Sequence, residues 1–547
     1  MTMSHYTLTS IDTTGIQNYI FGSNALRENI GASQLVERAI GAWLREALPE
    51  PHNVAGDTIN DKERIEDSEA LRAEVIMRGG GNALILFREH SDAVETIKKL
   101  SRKLLCEAPG LEFAVAHLDF DWDKETLGGD AGVINTLAAA VNRRKQQRTP
   151  GAAVFSPAVL AECRATRQPA VDFDDKGKLI AAEIQAKLDP VLQTEAQRVF
   201  EELFESVIGD TYTFVRDVEE LNVQGDRSHL AVVHADGNGI GQRFITLLDG
   251  FSAASENRTC LDALRVLSSK IASAGEQALR KMLARLERSF QDKQMDRYLS
   301  GLKQRDGKYI IPFRPLIFGG DDVTFVCDGP LGLGLAAIFL EEFERAAKDL
   351  PYGGAAHACA GVVIFKTHYP FSRAYDLCEE LCTQTKVAMR GADLKGSGLD
   401  WHIAMSGISG EIAGIRQREY QFSDGDHLAM RPLSLRAPGI EQRWRNWQAF
   451  ADLTKEFRRR DPNDPQYSVE DRTQDLPRSK VKALREALCG GGTASEQFMI
   501  TANITLPDML GGDDRLRQTG WAGKYCAYFD VIEALDFYLP IDRMEDR

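Results

Sequence analysis

The run PFRPLIFGGDDVTFVCDG at residues 312–329 decides the fold prediction for this chain. Two apolar stretches flank the turn Gly319-Gly320-Asp321-Asp322, and a short turn between apolar segments of strand length predicts a β-hairpin. The glycines at 319 and 320 let the backbone turn sharply and leave room beside it. The sequence therefore predicts a hairpin with two carboxylates at its tip.

A third carboxylate ends an apolar strand upstream of this hairpin. Residues 230–234 read as a strand, and Asp236 follows within ADGNGIGQRF (235–244). The surrounding elements are predicted as a helix at 261–286, a hairpin strand at 310–318, a return strand at 323–327, a helix at 334–348, a strand at 358–365 and a helix at 371–389. This β-α-β-β-α-β order is typical of a ferredoxin-like fold. Because that fold places the first strand beside the hairpin, we expect Asp236, Asp321 and Asp322 to converge.

The same order of elements occurs once earlier in the chain. Its predicted elements are a strand at 6–12, an apolar turn at 16–21, a helix from about Ser33 to Ala47, hairpin strands at 74–77 and 83–87, a helix over 94–105 and a strand at 113–120. IDTTGIQNYIF (11–21) aligns with 235–244, and RGGGNALILF (78–87) aligns with 318–327. The alignment predicts an internal duplication whose first copy has Gly81 and Asn82 in place of the hairpin aspartates.

Composition limits the function classes that need consideration. The 547 residues include 66 Lys and Arg and 81 Asp and Glu, a net charge of −15, so the whole surface is unsuited to gripping a polyanion. Nine cysteines without a C-x-x-C pair indicate a reducing cytoplasm and no zinc ribbon. The sequence shows neither a signal peptide nor an eighteen-residue apolar stretch, so we expect a cytoplasmic protein without a membrane segment.

The three carboxylates point to phosphate chemistry. Hard divalent cations such as Mg²⁺ or Mn²⁺ take oxygen ligands, and two such ions about 4 Å apart can activate a ribose hydroxyl and stabilise a leaving pyrophosphate. Asp236, Asp321 and Asp322 are the predicted catalytic and metal residues, with the carbonyl of Ala235 as a further metal ligand. The backbone amides of Gly237, Asn238, Gly239, Ile240 and Gly241 start a helix-like stretch after a strand, and such amides suit a triphosphate.

A second GGDD at 511–514 provides a comparison within the same chain. It is flanked by LPDML and RLRQTG rather than by two apolar strands. We interpret it as a solvated loop without catalytic function.

These motifs together resemble a known family. The chain is similar to the large, polymerase-like subunit of type III CRISPR effectors, which carries two palm domains, over most of residues 5–145 and 227–410. The resemblance rests on four segments, PFRPLIFGGDDVTFVCDG (312–329), HADGNGIGQRF (234–244), GVVIFKTHYPFSRAYDLCEELC (361–382) and GIQNYIFGSNALRENIGASQLVERA (15–39).

The resemblance implies synthesis of a cyclic oligoadenylate messenger from ATP at the interface of the paired palms. It makes Asp236, Asp321 and Asp322 the metal ligands, and Gly319 and Gly320 part of the nucleotide site. Lys386 matches a helix lysine that touches the triphosphate in the related GGDEF cyclases. Gly81 and Asn82 would face a second nucleotide without binding metal, because an amide lacks the charge of a carboxylate.

Two departures from the family affect the expected partners. The first palm begins within ten residues, so no HD nuclease domain is expected, and CRATRQPA (163–170) retains a single cysteine, so no zinc is expected. Both losses leave open whether the chain joins an RNA-guided complex, with guide or target RNA and other subunits as partners, or acts as a stand-alone enzyme or a homo-oligomer. Two other readings stay open, a non-catalytic nucleotide-binding scaffold subunit and a GGDEF-like cyclase that uses GTP.

The predicted organisation has four parts. They are a degenerate first palm at 1–149, a helical linker region with a zinc-ribbon remnant at 150–226, a GGDD-bearing second palm at 227–410, and a helical C-terminal domain at 411–547. The predicted fold class is thus α/β (α+β) with two ferredoxin-like palm domains.

Overall fold

The structure is a computed structural model, and it describes most of the chain. The described residues are 5–147, 160–223, 229–290, 298, 300–392, 394, 396–404, 410–422, 425–436, 444–462, 475–509, 512 and 514–541. Within these ranges, no helix is both long enough and apolar enough to cross a membrane.

The first palm domain is a four-stranded antiparallel sheet in the order β4-β5-β1-β6, with helices packed against it. This is the strand order of a ferredoxin-like fold. Its elements are β1 (His5–Thr14), α1 (Ile16–Phe21), α2 (Leu26–Ile40), α3 (Ala42–Ala47), the small hairpin β2 (Val54–Ala55) and β3 (Thr58–Ile59), β4 (Ala73–Gly79), β5 (Asn82–Phe87), α4 (His90–Glu107), β6 (Glu112–Asp121) and α5 (Val133–Gln147).

The segment between the palms is mainly helical, with three short strands. Its elements are β7 (Asp172–Phe173), β8 (Leu179–Ile180), α6 (Ala182–Lys187), α7 (Pro190–Leu203), α8 (Glu205–Ile208), β9 (Tyr212–Phe214) and α9 (Val218–Leu221). Cys163, the cysteine of the predicted zinc-ribbon remnant, is buried beside Ile180 and Ile184. The absence of zinc stays a prediction.

The second palm domain repeats the first and extends it by two strands. Its sheet has the order β13-β14-β10-β15-β16-β17. Its elements are β10 (His229–Gly237), α10 (Ile240–Asp249), α11 (Asn257–Ser289), β11 (Gln304–Arg305), β12 (Lys308–Ile311), β13 (Phe313–Phe318), β14 (Val323–Asp328), α12 (Gly332–Ala346), β15 (Ala358–Lys366), α13 (Phe371–Gly391) and β16 (Gly398–Ala404).

The C-terminal region is mostly helical in its described part. Its elements are α14 (Ile412–Glu419), β17 (Leu433–Ser434), α15 (Trp447–Arg459), α16 (Arg478–Leu488), α17 (Gly492–Ala502), α18 (Asp514–Thr519), β18 (Trp521–Ala522), β19 (Tyr525–Cys526) and α19 (Phe529–Ala534). Trp401 on β16 is fully buried and packs against Phe450 on α15, with ring centroids 5.0 Å apart. This contact joins the C-terminal helices to the second sheet, and β17 completes that sheet.

Strand register shows the same duplication that the aligned sequences predict. Asp12 lies opposite Asn82 in the pairing of β1 with β5. In the second palm Ala235 lies opposite Val323, so the equivalent position, Asp236, lies beside Asp322 at the end of the β10–β14 ladder. The two-palm, ferredoxin-like fold class predicted from the sequence is therefore confirmed.

Several element boundaries differ from the sequence predictions. The helix expected from Ser33 begins at Leu26 and is interrupted at Gly41; its first turns contain the polar but fully buried Asn29, which hides the apolar periodicity. The apolar turn expected at 16–21 is a short helix. The strand expected over 310–318 is two strands, and the break falls at Pro312, whose missing N–H suits the end of a strand.

Candidate functional site

The three predicted carboxylates meet where β10 ends beside the β13–β14 turn. An ideal Cβ built on Gly237 would lie 2.8 Å from the Cβ of Asp321 and 2.9 Å from its Oδ2. The side chain of Asp321 therefore lies directly over the residue that follows Asp236. Residues from two distant stretches of sequence thus share one end of the second palm's sheet, which brings together the three aspartates as predicted.

The protonation of these carboxylates reflects their closeness. Burial, and then the charge of Asp236, raise the pKa of Asp321 to about 6. Burial and the charges of Asp236, Asp321 and Glu379 raise the pKa of Asp322 to about 7. Oδ1 of Asp322 is buried without a hydrogen-bond partner in the described part of the chain. These carboxylates repel one another, and Oδ1 of Asp322 has no hydrogen-bond donor among the described residues. A divalent cation would relieve that repulsion and use these oxygens as ligands.

Lys386 is a cation in direct contact with this cluster. It lies on α13 with its side chain 13% exposed, and its Nζ donates to Oδ2 of Asp236 and, at 3.0 Å, to the carbonyl of Gly237. The structure thus places the lysine predicted from the GGDEF comparison at the site. Across the described ranges, no group of three or more His, Cys, Asp and Glu side chains stands ready to hold a metal ion. Metal binding to this cluster therefore stays a prediction, and we expect it to require that Lys386 release Asp236.

The segment 237–241 is a tight turn that opens helix α10. Gly239 has φ +69°, a left-handed conformation that favours glycine, and α10 begins at Ile240. The amide of Asn238 donates to the carbonyl of His357 at 2.8 Å, which fixes the turn against the β15 side of the sheet. Ile240 points its side chain into the core, whereas Gly241 is exposed with open space beside it. The backbone at the start of α10 is thus accessible to a ligand.

The first palm has an equivalent turn at the same place. Gly15 has φ +66° and precedes α1 as Gly239 precedes α10. The two hairpin turns face each other, because an ideal Cβ on Gly319 would lie 3.5 Å from the Cα of Gly80. The glycines of both turns therefore allow their backbones to meet with no side chain between them.

The first hairpin turn differs from the second in backbone as well as in sequence. Gly81 has φ +80°, and an ideal Cβ there would lie 2.4 Å from Cδ1 of Ile16. Its carbonyl accepts from the amide of Thr13 at 2.9 Å. Asn82 is exposed at the start of β5. Any other residue at position 81 would strain the backbone and displace the side chain of Ile16. Position 81 therefore requires glycine.

A lysine of the first palm was missed by the sequence reasoning. Nζ of Lys145 on α5 pairs with Oδ2 of Asp12, just as Lys386 on α13 pairs with Asp236. Both helices follow the last core strand of their palm. The signal was available, because extending the duplication past the hairpins would have aligned the two helices and drawn attention to the cluster RRKQQR at 143–148.

His234 has a structural part in the site. Its Nδ1 lies 3.0 Å from Oγ1 of Thr324 and 3.5 Å from Oδ1 of Asp322. Burial lowers its pKa to about 4 despite the charge of Asp236, so the imidazole is neutral at pH 7. Ala235 is fully buried within β10, and its carbonyl as a metal ligand stays a prediction.

The second GGDD lies only partly within the described residues. Gly511 and Asp513 lie outside them, Gly512 is exposed, and helix α18 begins at the exposed Asp514. The segment after this motif is thus a helix rather than the return strand of a hairpin.

Comparison with known proteins shows a likeness in fold alone. No protein-family model matches the chain, and no curated protein matches it. Among solved structures, it is similar to a chain of a Csm1–Csm4 cassette in complex with cA4, at 14% identity and a TM-score of 0.52, covering 98% of this chain and 70% of that one. Csm1–Csm4 cassettes in complex with AMPPNP and with one ATP match with TM-scores of 0.50, also at 14% identity and the same coverage.

Proposed function

We propose that this chain is a metal-dependent nucleotidyltransferase that makes a cyclic oligoadenylate from ATP, as a shortened relative of the large subunit of type III CRISPR effectors. The observation that carries the proposal is the cluster of Asp236, Asp321 and Asp322 beside a facing, inert copy of the same turn. The fold-level likeness to cassettes solved with ATP, AMPPNP and cA4 supports adenine nucleotides as the ligands.

In this proposal the three aspartates hold Mg²⁺ or Mn²⁺, with the carbonyl of Ala235 as a further ligand. When bound, such ions would lower the pKa of a ribose hydroxyl and neutralise charge on the α-phosphate and the leaving pyrophosphate. The protein's own contribution is to position the carboxylates at the end of a rigid sheet. Asp322, with a buried and unpartnered oxygen, gains most from a cation.

Lys386 would exchange partners when a nucleotide enters. It now neutralises Asp236, and its side chain can instead donate to phosphate oxygens once a cation neutralises the aspartates. The amides of Gly237, Gly239, Ile240 and Gly241 would hold the same triphosphate at the start of α10, where the helix dipole also favours an anion. The predicted contribution of Asn238 is withdrawn for its amide, because that amide already donates to the carbonyl of His357. Gly319 and Gly320 would leave space for the nucleotide beside the turn.

The first palm would hold the second nucleotide without a metal. Gly81 and Asn82 lie on the facing turn, and Lys145 occupies the place that Lys386 has in the second palm. A lysine can supply positive charge to a triphosphate. The two nucleotides would thus meet between the palms, with the reacting phosphate on the side of the carboxylates.

The test is product formation with a control motif from the same chain. Purified protein with Mg²⁺ or Mn²⁺ and an equimolar mixture of the four nucleoside triphosphates is expected to release pyrophosphate and yield a cyclic adenylate by mass spectrometry. The double substitution Asp321→Ala and Asp322→Ala is expected to abolish the product. The matched double substitution Asp513→Ala and Asp514→Ala, in the second GGDD, is expected to leave it unchanged. Equal turnover in both double variants would contradict the assignment.

The alternative function is a nucleotide-binding scaffold subunit without catalysis. It is favoured by one observation, the ion pair that engages Asp236 with Lys386. Tight ATP binding without pyrophosphate release, with target RNA and partner subunits present, would support this alternative. Production of a dinucleotide from GTP in the four-nucleotide mixture would instead support the hypothesis of a GGDEF-like cyclase.

The partners and the domain boundaries form part of the same proposal. Because the similar chains come from Csm1–Csm4 cassettes, we propose that this chain associates with a comparable effector subunit and with guide or target RNA. The boundaries at residues 149, 226 and 410 are kept as proposed, with one addition, that the second palm's sheet recruits β17 from beyond residue 410.

A further inference from the structure

Helix α11 contacts both hairpins that form the proposed site. It is 33 residues long, which at 1.5 Å per residue gives about 50 Å. Its first residue, Asn257, is tied to the first palm, because its side chain accepts from the amide of Leu127 at 2.8 Å and donates to the carbonyl of Glu125 at 2.8 Å. The helix thus starts from a fixed point on the first palm although it belongs to the second.

Two arginines of α11 form hydrogen bonds and ion pairs with strand β4 of the first palm. Glu74 on β4 is fully buried and accepts from Arg258 at 2.7 and 2.9 Å and from Arg265 at 2.6 Å. Arg265 also donates to the backbone carbonyls of Val75 and Ile76 at 3.0 and 3.1 Å. Strand β4 leads directly into the glycine turn at 79–81. The bonds from Arg258 and Arg265 therefore fix the position of that turn relative to α11.

The same helix contacts the GGDD turn two to three turns further along. An ideal Cβ on Gly275 would lie 1.7 Å from the carbonyl oxygen of Gly320, and one on Gly320 would lie 3.2 Å from the Cα of Ala272. The backbone of the GGDD turn therefore rests directly on α11. Because a fully formed α-helix is stiff over two to three turns, strand β4 of the first palm and the GGDD turn of the second palm are held at a fixed spacing.

We propose that Arg265 and Gly275 are positioning residues, and that α11 sets the separation of the two facing turns and hence of the two bound nucleotides. This inference rests on the proposed nucleotidyl transfer. Neither residue touches substrate; both act through the backbones of β4 and of the turn at 319–322. The palms keep a second connection elsewhere, where Phe21 stacks on Tyr375 at 4.0 Å and Asn24 accepts from the amide of Phe371. Loosening α11 would therefore misalign the turns without separating the palms.

Gly275→Ala tests the contact with the catalytic turn. The added Cβ falls 1.3 Å short of a 3.0 Å contact with the oxygen of Gly320, so the turn must move by about that distance. A misplacement of about 1 Å can cost about 100-fold in rate. We expect kcat to fall about 100-fold while the affinity for a non-hydrolysable ATP analogue changes less than threefold. Gly391→Ala, at the end of α13 with open space beside it, is the matched control and is expected to behave as wild type.

Arg265→Met tests the hydrogen bonds between α11 and strand β4. The buried charge of Glu74 stays compensated in that variant, because Arg258 still pairs with it. We expect kcat to fall about 10-fold with the KM for ATP retained, and Arg265→Lys to recover part of the loss. Thermal unfolding of each variant confirms folding. A kcat within threefold of wild type in both Gly275→Ala and Arg265→Met would overturn the inference.

Hydrogen exchange separates this inference from the proposed function. In Arg265→Met, with its substitution near the first palm, we expect at least threefold faster amide exchange in the peptide covering 317–324, and no change in Gly391→Ala. If the wild-type protein releases no pyrophosphate, the proposed function fails and exchange alone decides the coupling. Faster exchange would then uphold the role of α11, and unchanged exchange would overturn it.

Discussion

Replacing Lys386 by methionine tests the proposed exchange of partners at the site. The lysine stem is largely buried, and Nζ donates to Asp236 and to the carbonyl of Gly237. Methionine keeps most of the packing volume and removes the charge. A hydrogen bond from a charged group is worth about 1.5–3 kcal/mol, so the loss of its bond to phosphate predicts an affinity for the triphosphate about 10- to 100-fold lower.

The same substitution has an opposite expected effect on metal binding. In the wild-type protein a cation must displace Lys386 from Asp236, whereas in Lys386→Met the three carboxylates repel one another without compensation. We therefore expect Mg²⁺ alone to raise the melting temperature more in the variant than in the wild-type protein. Calorimetric titration with AMPPNP and thermal unfolding over a Mg²⁺ series measure the two effects.

Lys348→Met is the matched control, because Lys348 is exposed at 72% of its side chain and lies 3.8 Å from Asp349. It is expected to change neither nucleotide affinity nor the Mg²⁺ response. If Lys386→Met likewise leaves both unchanged, Lys386 serves only to neutralise Asp236, and the proposed contact with the triphosphate is wrong.

Three further predictions concern other parts of the molecule. Lys145→Met is expected to reduce the AMPPNP bound per chain from two to one, measured by titration calorimetry. Asn82→Asp is expected to weaken that second nucleotide about 10-fold through charge repulsion, without adding a second Mg²⁺ response, because Gly81 cannot carry the other carboxylate. Burial raises the pKa of Asp328 from 3.8 to about 7 although Tyr298 donates to it at 2.7 Å. Between these two pKa values the carboxyl of Asp328 is protonated in the folded protein and ionised in the unfolded chain. The resulting contribution to the free energy of unfolding is complete below about pH 4 and is lost as pH rises through 7, by up to about 4 kcal/mol. The urea midpoint is expected to fall between about pH 4 and pH 7, and Asp328→Asn to flatten that fall; an equal slope in both proteins would exclude this carboxyl as the cause.

The repeated apolar hairpins made the two palms predictable from sequence. Each hairpin has largely apolar residues on both sides of a turn that contains glycine, and the alignment of Asp12 with Asp236 and of Asn82 with Asp322 agrees with the strand register. The convergence of three aspartates followed from strand order alone. Local pattern was sufficient here because a glycine-containing turn marks where the two strands of each hairpin meet.

The parts that sequence did not predict depend on buried polar groups and long-range contacts. The sequence favours a surface position for Glu74 within its strand, and its buried charge is compensated by two arginines about 190 positions away, with a further hydrogen bond from the amide of Ile65. Strand β16 was not predicted, although LDWHIA (399–404) alternates apolar and polar residues. It lies outside the ferredoxin-like order and pairs in parallel with β15. The basic cluster RRKQQR (143–148) by itself indicates a solvated helix face, and nothing near Lys145 in the sequence points to its partner Asp12, which lies 133 residues earlier.

The paired aspartate–lysine contacts also give the space between the palms an electrical polarity. On the side of the second palm, three carboxylates lie near one lysine, Lys386. On the side of the first palm, one carboxylate, that of Asp12, pairs with one lysine, Lys145. Under the proposed function, a trianionic triphosphate that diffuses in would be oriented before any specific contact forms, and in the absence of divalent ions it would turn toward the wall of the first palm. Divalent ions bound to the three carboxylates would reverse that preference, so the order in which the two nucleotide positions fill would depend on the ionic composition of the medium.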